Sequence, residues 1–333
     1  MAVKIGINGF GRMGRLGLRV GWDNPNFEFT RINEIACGAE CSAHLLKFES
    51  VHGNWSQQTE SQDGQVIVDG QAIDYSTSPS IDGADWSNCD IVIEATGKHH
   101  KKPELLQEYF RQDVKKVIVA APTEGALNIV YGINHQDYDP NQHDLVTAAS
   151  CTTNCLAPVI KVMHEKIGIK HGSMTTIHNI TNTQTIIDKG HKDLRRARSC
   201  SQSLIPTSTG SAKAITKIFP ELTGRLNGLA VRVPVLNGSL TDFVFEAERA
   251  ITAEQVNEYF KQAAENELKG ILGYEERPLV SIDYLNDARS SIVDALSTMV
   301  INGTQVKIYA WYDNEWGYVH RMMDITDMVA KSL

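Results

Sequence analysis

Cys151 stands between the apolar run Asp144-Leu145-Val146-Thr147-Ala148-Ala149 and a segment with Leu156, Val159, Ile160, Met163 and Ile167 at helical spacing. The first stretch reads as a short buried strand and the second as a helix, which places the thiol at a helix N-terminus. The partial positive charge there favours a thiolate, and a thiolate is a nucleophile suited to covalent catalysis. The competing reading makes Cys151 and Cys155 small buried packing residues. Pro158 counts against a regular helix, because it removes a backbone hydrogen bond. Downstream, Met174-Thr175-Thr176-Ile177-His178 alternates as a strand and presents His178. That histidine is either structural or the base that a poised cysteine requires.

A second chemistry is written at the start of the chain. Val3, Ile5 and Ile7 alternate as a strand, Gly9-Phe10-Gly11-Arg12-Met13-Gly14 follows, and a helix is expected through Leu16, Leu18, Val20 and Trp22. Glycines at this spacing permit a tight turn and let the backbone approach a pyrophosphate lying on the helix N-terminus. A second strand through Phe27-Glu28-Phe29 ends in Arg31-Ile32-Asn33-Glu34, with Glu34 twenty residues after Gly14. An acid at that distance is placed to bind ribose hydroxyls. These four features in order point to a dinucleotide site rather than to an incidental glycine-rich turn.

The elements needed to position both sites can be followed along the chain. Val66 to Ile73 reads as a hairpin turning at Asp69-Gly70, decorating the sheet as an insertion. Ile91-Val92-Ile93 and Val117-Ile118-Val119-Ala120 are wholly apolar, as strands of a parallel sheet covered on both faces are. Glu94-Ala95-Thr96-Gly97 and Ala121-Pro122-Thr123 leave their carboxyl ends, where ligands bind in open α/β sheets. The run Lys98-His99-His100-Lys101-Lys102 reads as a solvated helix start. Residues 179–203 lack periodicity and carry Lys189, His191, Lys192, Arg195, Arg196 and Arg198, which suits anionic ligands, a subunit contact or a solvated charge run. Leu229 to Val235 is a strand candidate with Arg232 among apolar neighbours, a charge for which an anion is a natural partner. Thr252-Ala253-Glu254-Gln255 opens a helix as a capping box. Val306 to Trp311 is a last strand, and a terminal helix carries Met322, Ile325, Met328 and Val329.

At 333 residues two domains are expected, and 42% hydrophobic with 22% charged residues is ordinary for a soluble globular protein. No apolar run reaches the ~20 residues that span a bilayer. The N-terminus enters a strand without a signal-peptide pattern, and the six cysteines form no disulfide-rich spacing, so a cytoplasmic location is expected. No metal site is expected, since Cys151 and Cys155 lack a second pair. A net charge of −8 argues against nucleic acid as a primary partner.

Gly6-Ile7-Asn8-Gly9-Phe10-Gly11-Arg12, Ala149-Ser150-Cys151-Thr152-Thr153-Asn154-Cys155, His191-Lys192-Asp193-Leu194-Arg195-Arg196 and Trp311-Tyr312-Asp313-Asn314-Glu315 together resemble the phosphorylating glyceraldehyde-3-phosphate dehydrogenase family, end to end and in the family's order. The resemblance implies an α/β fold: a Rossmann-type doubly wound parallel sheet over 1–150 and an α+β catalytic domain with a mixed sheet over 151–316. A terminal helix, 317–333, is expected to pack on the first domain. It also implies a homotetramer, with 179–203 reaching toward a neighbour's cofactor. Glyceraldehyde 3-phosphate, inorganic phosphate and NAD would be the reactants, with Cys151 as nucleophile and His178 as base. Gly9, Phe10, Gly11, Arg12, Met13, Asn33, Glu34, Thr96, Gly97, Ala120, Asn314 and Tyr318 would hold the cofactor. Thr181, Thr183 and Arg232 would take the substrate phosphate. Ser150, Thr152, Arg196, Thr209 and Gly210 belong to the same substrate-binding set, with Ser150, Arg196, Thr209 and Gly210 at the inorganic phosphate.

Several positions depart from the family's commoner pattern. Glu34 stands for Asp, Ala148 for Asn, Ala120 for a hydroxyl residue, and Lys189-Gly190 for Leu-Pro. The last change opens the way to NADP use. Asn33-Glu34, His44 to Phe48 and Val51-His52-Gly53 are similar to a branch linked to arsenate detoxification, in which arsenate replaces phosphate. Two alternatives are a semialdehyde dehydrogenase of the same plan, which needs no second anion site, and a non-catalytic cofactor- or nucleic-acid-binding protein.

Overall fold

The computed structural model describes residues 2–333 and divides into two compact units, one running to Ser150 and taking in Val319–Leu333, the other Cys151–Tyr318. Each is built around its own sheet.

The first unit has a nine-stranded sheet with the order Thr59–Gln62, Gln65–Val68, Gln71–Ser76, Phe27–Asn33, Val3–Asn8, Ile91–Glu94, Lys116–Val119, Leu145–Thr147 and Leu127–Asn128. From Gln71–Ser76 onward, every neighbouring pair is parallel. This is the Rossmann-type arrangement, and the wholly buried Ile91–Glu94 and Lys116–Val119 explain why those strands lack alternation. The hairpin at Asp69-Gly70 forms as its sequence requires, with both turn residues at positive φ. It does not decorate the sheet from outside. Its second strand pairs directly with Phe27–Asn33 through Arg31–Asn33 and extends the main sheet.

The first helix, Arg12–Gly21, stops one residue short of the expected Trp22, which caps it. The phosphate-type turn before it depends on glycine at two places. Gly9 has φ +90°, and a Cβ there would meet the Thr96 amide nitrogen at 2.5 Å. A Cβ on Gly14 would drive into the Gly9 carbonyl, so helix and turn can pack this closely only without side chains. The terminal helix, expected over 317–333, runs Trp316–Ala330, and its Met322 and Met323 pack against Gly17 of the first helix.

The second unit has a mixed eight-stranded sheet around the adjacent strands Leu226–Arg232, Ile169–His178, Ser239–Ala247 and Gln305–Tyr312. Ile169–His178 runs parallel to Leu226–Arg232 and antiparallel to Ser239–Ala247. The arginine strand begins at Leu226 and ends at Arg232, short of the Val235 read from sequence, although the Val233 amide still donates to His178 O at 2.9 Å. The cysteine helix, Cys151–Ile167, continues through Pro158. Twelve of its residues from Thr152 to Ile167 are buried, and that burial outweighs the ~3 kcal/mol a mid-helix proline costs. The capping box at Thr252 and Gln255 is present in both directions.

Among the described residues no helix is long and apolar enough to cross a membrane. The first unit also contains an ion pair that makes its stability depend on pH. Glu49 accepts from Arg12 Nη1 at 2.6 Å and from the Val51 and His52 amides at 2.9 and 2.5 Å. Burial pushes its carboxyl up, but these donors outweigh it and bring the pKa down to about 2. A depressed folded pKa gives stability that is present above the unfolded value and lost as pH falls through the folded one. Arg12 is partly open to water, which screens the pair, so Glu49→Gln is expected to lower the unfolding free energy at neutral pH by ~1–2 kcal/mol. In denaturant titrations the gap to the unmodified protein should close between about pH 4.5 and about pH 2.

Candidate active site

His178 is the last residue of the strand Ile169–His178, and the parallel register sets it beside Arg232. The cysteine helix brings Cys151 opposite, with Sγ 3.6 Å from His178 Nε2. His178 Nδ1 lies 2.9 Å from the Asn179 carbonyl. A proton on Nδ1 donated to that carbonyl leaves the Nε2 lone pair facing the thiol. Arg232 Nη1, which can only donate, lies 2.6 Å from the same ring nitrogen and 3.1 Å from Asn179 O; the Nδ1–H form requires its hydrogen to go to the carbonyl, since two donors cannot face each other across the shorter contact. Burial, then the Arg232 charge, brings the His178 pKa down to about 3, so beside a protonated Cys151 thiol the ring is neutral at pH 7.

The helix N-terminus by itself predicts a thiolate at Cys151. Burial instead pushes the thiol up, with Arg232 as the largest opposing influence. Desolvation of a charge in this wall of side chains exceeds what the helix end contributes. Cys155 takes the packing role. It is fully buried, its Sγ contacts Ser291 Oγ and Ala310 O at 3.6 and 3.7 Å, and burial pushes its pKa up to about 12.

Around this pair the expected anion ligands fall into small groups. Arg232 Nε is buried without a hydrogen bond, a donor that a bound oxyanion would satisfy. Thr181 Oγ1 lies 2.9 Å from Thr183 Oγ1 and 2.8 Å from Gln184 Oε1. Arg196 donates from Nε to Thr207 Oγ1 at 2.8 Å, and its charge helps depress the Arg232 pKa, after burial. Thr209 Oγ1 accepts from the Ser211 amide at 3.2 Å, while Gly210 caps the helix Ser211–Ile218. Ser150 is half-buried and immediately precedes the cysteine helix. Thr152 is buried, with Oγ1 3.0 Å from Tyr312 OH. Asn314 Oδ1 accepts from Ser239 Oγ at 2.8 Å, and the Tyr318 hydroxyl is buried without a hydrogen bond.

In the first unit a cavity of about 280 Å³ opens at the carboxyl ends of the parallel strands. Gly9, Gly11, Asn33, Glu34 and Thr96 line it, joined by Lys98 and His99. A Cβ at Gly11 would meet nothing within 4 Å, so the turn faces open space. An open, glycine-lined turn with an acid across the cavity fits a dinucleotide. The remaining cofactor candidates sit differently. Phe10 is in the core, Arg12 is held by Glu49, and Met13, Gly97 and Ala120 do not line the cavity. Asn33 lines it, but its amide is committed to Asn8, Ser76 and Ser78.

Three residues here had been given no individual role by the sequence reading. Glu94 is buried and accepts from Asn8, Thr96, His99 and Tyr109. Burial pushes its carboxyl up, yet the bonds from His99, Thr96 and Tyr109 prevail and hold it below the usual range. His99, assigned to a solvated run, is anchored by this carboxylate at 3.0 Å. Tyr312 ties the cysteine helix to the histidine strand, its OH 3.0 Å from Thr152 Oγ1 and 2.7 Å from Thr176 Oγ1. An acid ending an apolar strand was the available signal for Glu94; nothing local marks the other two.

A Rossmann-type sheet, together with a cysteine and an arginine each in contact with one histidine, points to a thiol-dependent dehydrogenase class, and comparison with known proteins narrows it. Residues 3–102 match the model described as glyceraldehyde 3-phosphate dehydrogenase, NAD binding domain, and residues 150–314 the one described as its C-terminal domain. A glyceraldehyde-3-phosphate dehydrogenase 3 of Nostoc sp. is 60% identical, covering 100% of both chains. Those of Bacillus cereus and Geobacillus stearothermophilus are each 48% identical, covering 99% of both chains. The chain belongs to the glyceraldehyde-3-phosphate dehydrogenase family.

Substoichiometric alkylation followed by peptide mass mapping checks the division of labour between the two helix cysteines. Iodoacetamide is expected to modify Cys151 at least ~10-fold faster than Cys155 in the folded protein, because thiolate fraction and access both favour it. Unfolding in denaturant should abolish the difference.

Proposed function

We propose that this chain oxidises D-glyceraldehyde 3-phosphate with NAD and inorganic phosphate, giving 1,3-bisphosphoglycerate and NADH. The observation that carries the reading is the Cys151–His178 contact at 3.6 Å with Arg232 against the far side of the ring. Cys151 attacks the aldehyde carbon as its proton passes to His178 Nε2, which returns it to the new alkoxide to complete a hemithioacetal. A bound NAD would supply the hydride acceptor for that carbon, and His178 takes the hemithioacetal hydroxyl proton. The product on Cys151 is a thioester. Phosphate oxygen then attacks the acyl carbon, the C–S bond breaks, and the thiolate is restored. Arg232 with Thr181 and Thr183 binds the phosphate already on the substrate; Arg196, Thr209, Gly210 and Ser150 bind the attacking one. Asn314 and Tyr318 serve the nicotinamide end, and Glu34 the ribose.

The same oxyanion ligands accept arsenate, close to phosphate in size and charge, which would give 1-arseno-3-phosphoglycerate. Assembly as a homotetramer is supported by the exposed Ile186, Ile187, Leu194 and Leu204 in and beside the irregular segment 179–203. The free state of all six cysteines suits a reducing cytoplasm.

His178→Asn should lower turnover by roughly 10²–10⁴-fold, the usual worth of a general base. Loss of less than a few-fold would remove His178 from the chemistry. For cofactor choice, Glu34 repels a ribose 2′-phosphate, whereas Lys189 offers a countercharge worth ~1 kcal/mol at an exposed position. NAD is therefore preferred with measurable NADP use. Glu34→Ser should shift the ratio of kcat/KM values toward NADP and Lys189→Leu back toward NAD; NADP used as well as NAD by the unmodified enzyme would reverse this ranking.

A further inference from the structure

Glu94 closes the strand Ile91–Glu94, and both its oxygens are saturated with donors. Oε1 takes the Thr96 amide at 2.9 Å and the Thr96 hydroxyl. Oε2 takes Asn8 Nδ2 at 3.1 Å and Tyr109 OH at 2.7 Å, and it lies 3.0 Å from His99 Nδ1. A carboxylate has no hydrogen to give, so Nδ1 carries the proton in that bond. In a neutral imidazole the other nitrogen is then an acceptor. Nε2 of His99 makes no hydrogen bond among the described residues, and it is not one of the buried atoms left without a partner. It is therefore open to a ligand. The ring itself lines the cavity that also presents Glu34, Thr96 and Lys98.

In doubly wound sheets the acid after the second strand receives the adenosine ribose, so the base attached to that ribose lies in the same cavity. We infer that His99 reads the adenine ring of the dinucleotide, its Nε2 accepting a hydrogen bond from the exocyclic amine. This rests on the cofactor reading given above and extends it. The Glu94 carboxylate acts through His99: by holding Nδ1–H it fixes which nitrogen faces the base. An aromatic hydrocarbon at position 99 would supply a wall for the ring but no acceptor.

Nicotinamide hypoxanthine dinucleotide, which carries a carbonyl in place of the adenine amine, is the probe. It sets an acceptor against an acceptor, so the unmodified protein should bind NAD roughly tenfold more tightly by equilibrium titration. His99→Phe should bring the two dissociation constants to within about twofold of each other. His99→Asn keeps a donor for Glu94 while its one acceptor, Oδ1 on a shorter side chain, stops short of the position Nε2 holds, so it should behave like Phe, which separates reading of the base from support of the fold. Equal binding of both dinucleotides by the unmodified protein, tighter binding of the hypoxanthine form, or an undiminished ratio in His99→Asn would overturn the assignment. Failure to bind NAD at all would instead sink the cofactor reading on which it rests.

Discussion

The Arg232 guanidinium, 2.6 Å from one side of the His178 ring, sets the terms for everything at the proposed catalytic centre. Taken singly, burial disfavours both a Cys151 thiolate and a His178 imidazolium. Taken together, a proton passed across 3.6 Å creates two opposite charges whose attraction neither group has alone. Arg232 favours the thiolate and opposes the imidazolium, so in the proposed reaction it would keep His178 ready to lose its proton again. A group that must accept a proton, release it and accept another cannot sit in a deep well. Position, more than a strongly shifted resting charge, is what the fold supplies here.

That position comes from ordinary strand and helix geometry. Parallel pairing of Ile169–His178 with Leu226–Arg232 puts His178 and Arg232 at the same level. Tyr312 then fixes the level of the cysteine helix, through Thr152, against Thr176 on the histidine strand. In the first unit Glu94 does the equivalent work, binding strand end, following turn and His99 into one network. Each unit thus uses a buried polar hub to hold a loop or helix end in place, its partners drawn in by hydrogen bonds that burial makes costly to break.

Much of this was legible in the sequence. Gly9, Gly11, Gly14 and Glu34 gave the turn and the acid because backbone geometry leaves few alternatives there. Apolar runs at 91–93 and 117–120 pointed to buried parallel strands, which form over Ile91–Glu94 and Lys116–Val119, and His178 at a strand end was readable from alternation. Other features were not, and for physical reasons. Pro158 misleads because local propensity loses to tertiary burial. The second strand of the hairpin looked peripheral because pairing with Phe27–Asn33 is a long-range choice. The run from Lys98 to Lys102 looked solvated because its charge is visible locally, whereas the Glu94 partner that draws His99 inward is visible only in three dimensions. The thiol at a helix start looked like a thiolate because the helix end is readable from sequence and desolvation is not.

The central claim is that Cys151 and His178 form one proton-sharing unit. Ultraviolet thiolate absorbance, titrated against pH and corrected with Cys151→Ser, tests it directly in the purified enzyme. The account predicts that His178→Asn moves the Cys151 titration upward by at least about one pH unit, since the thiolate loses the partner that stabilises it. Superimposable titrations of the unmodified protein and the His178→Asn variant would contradict it.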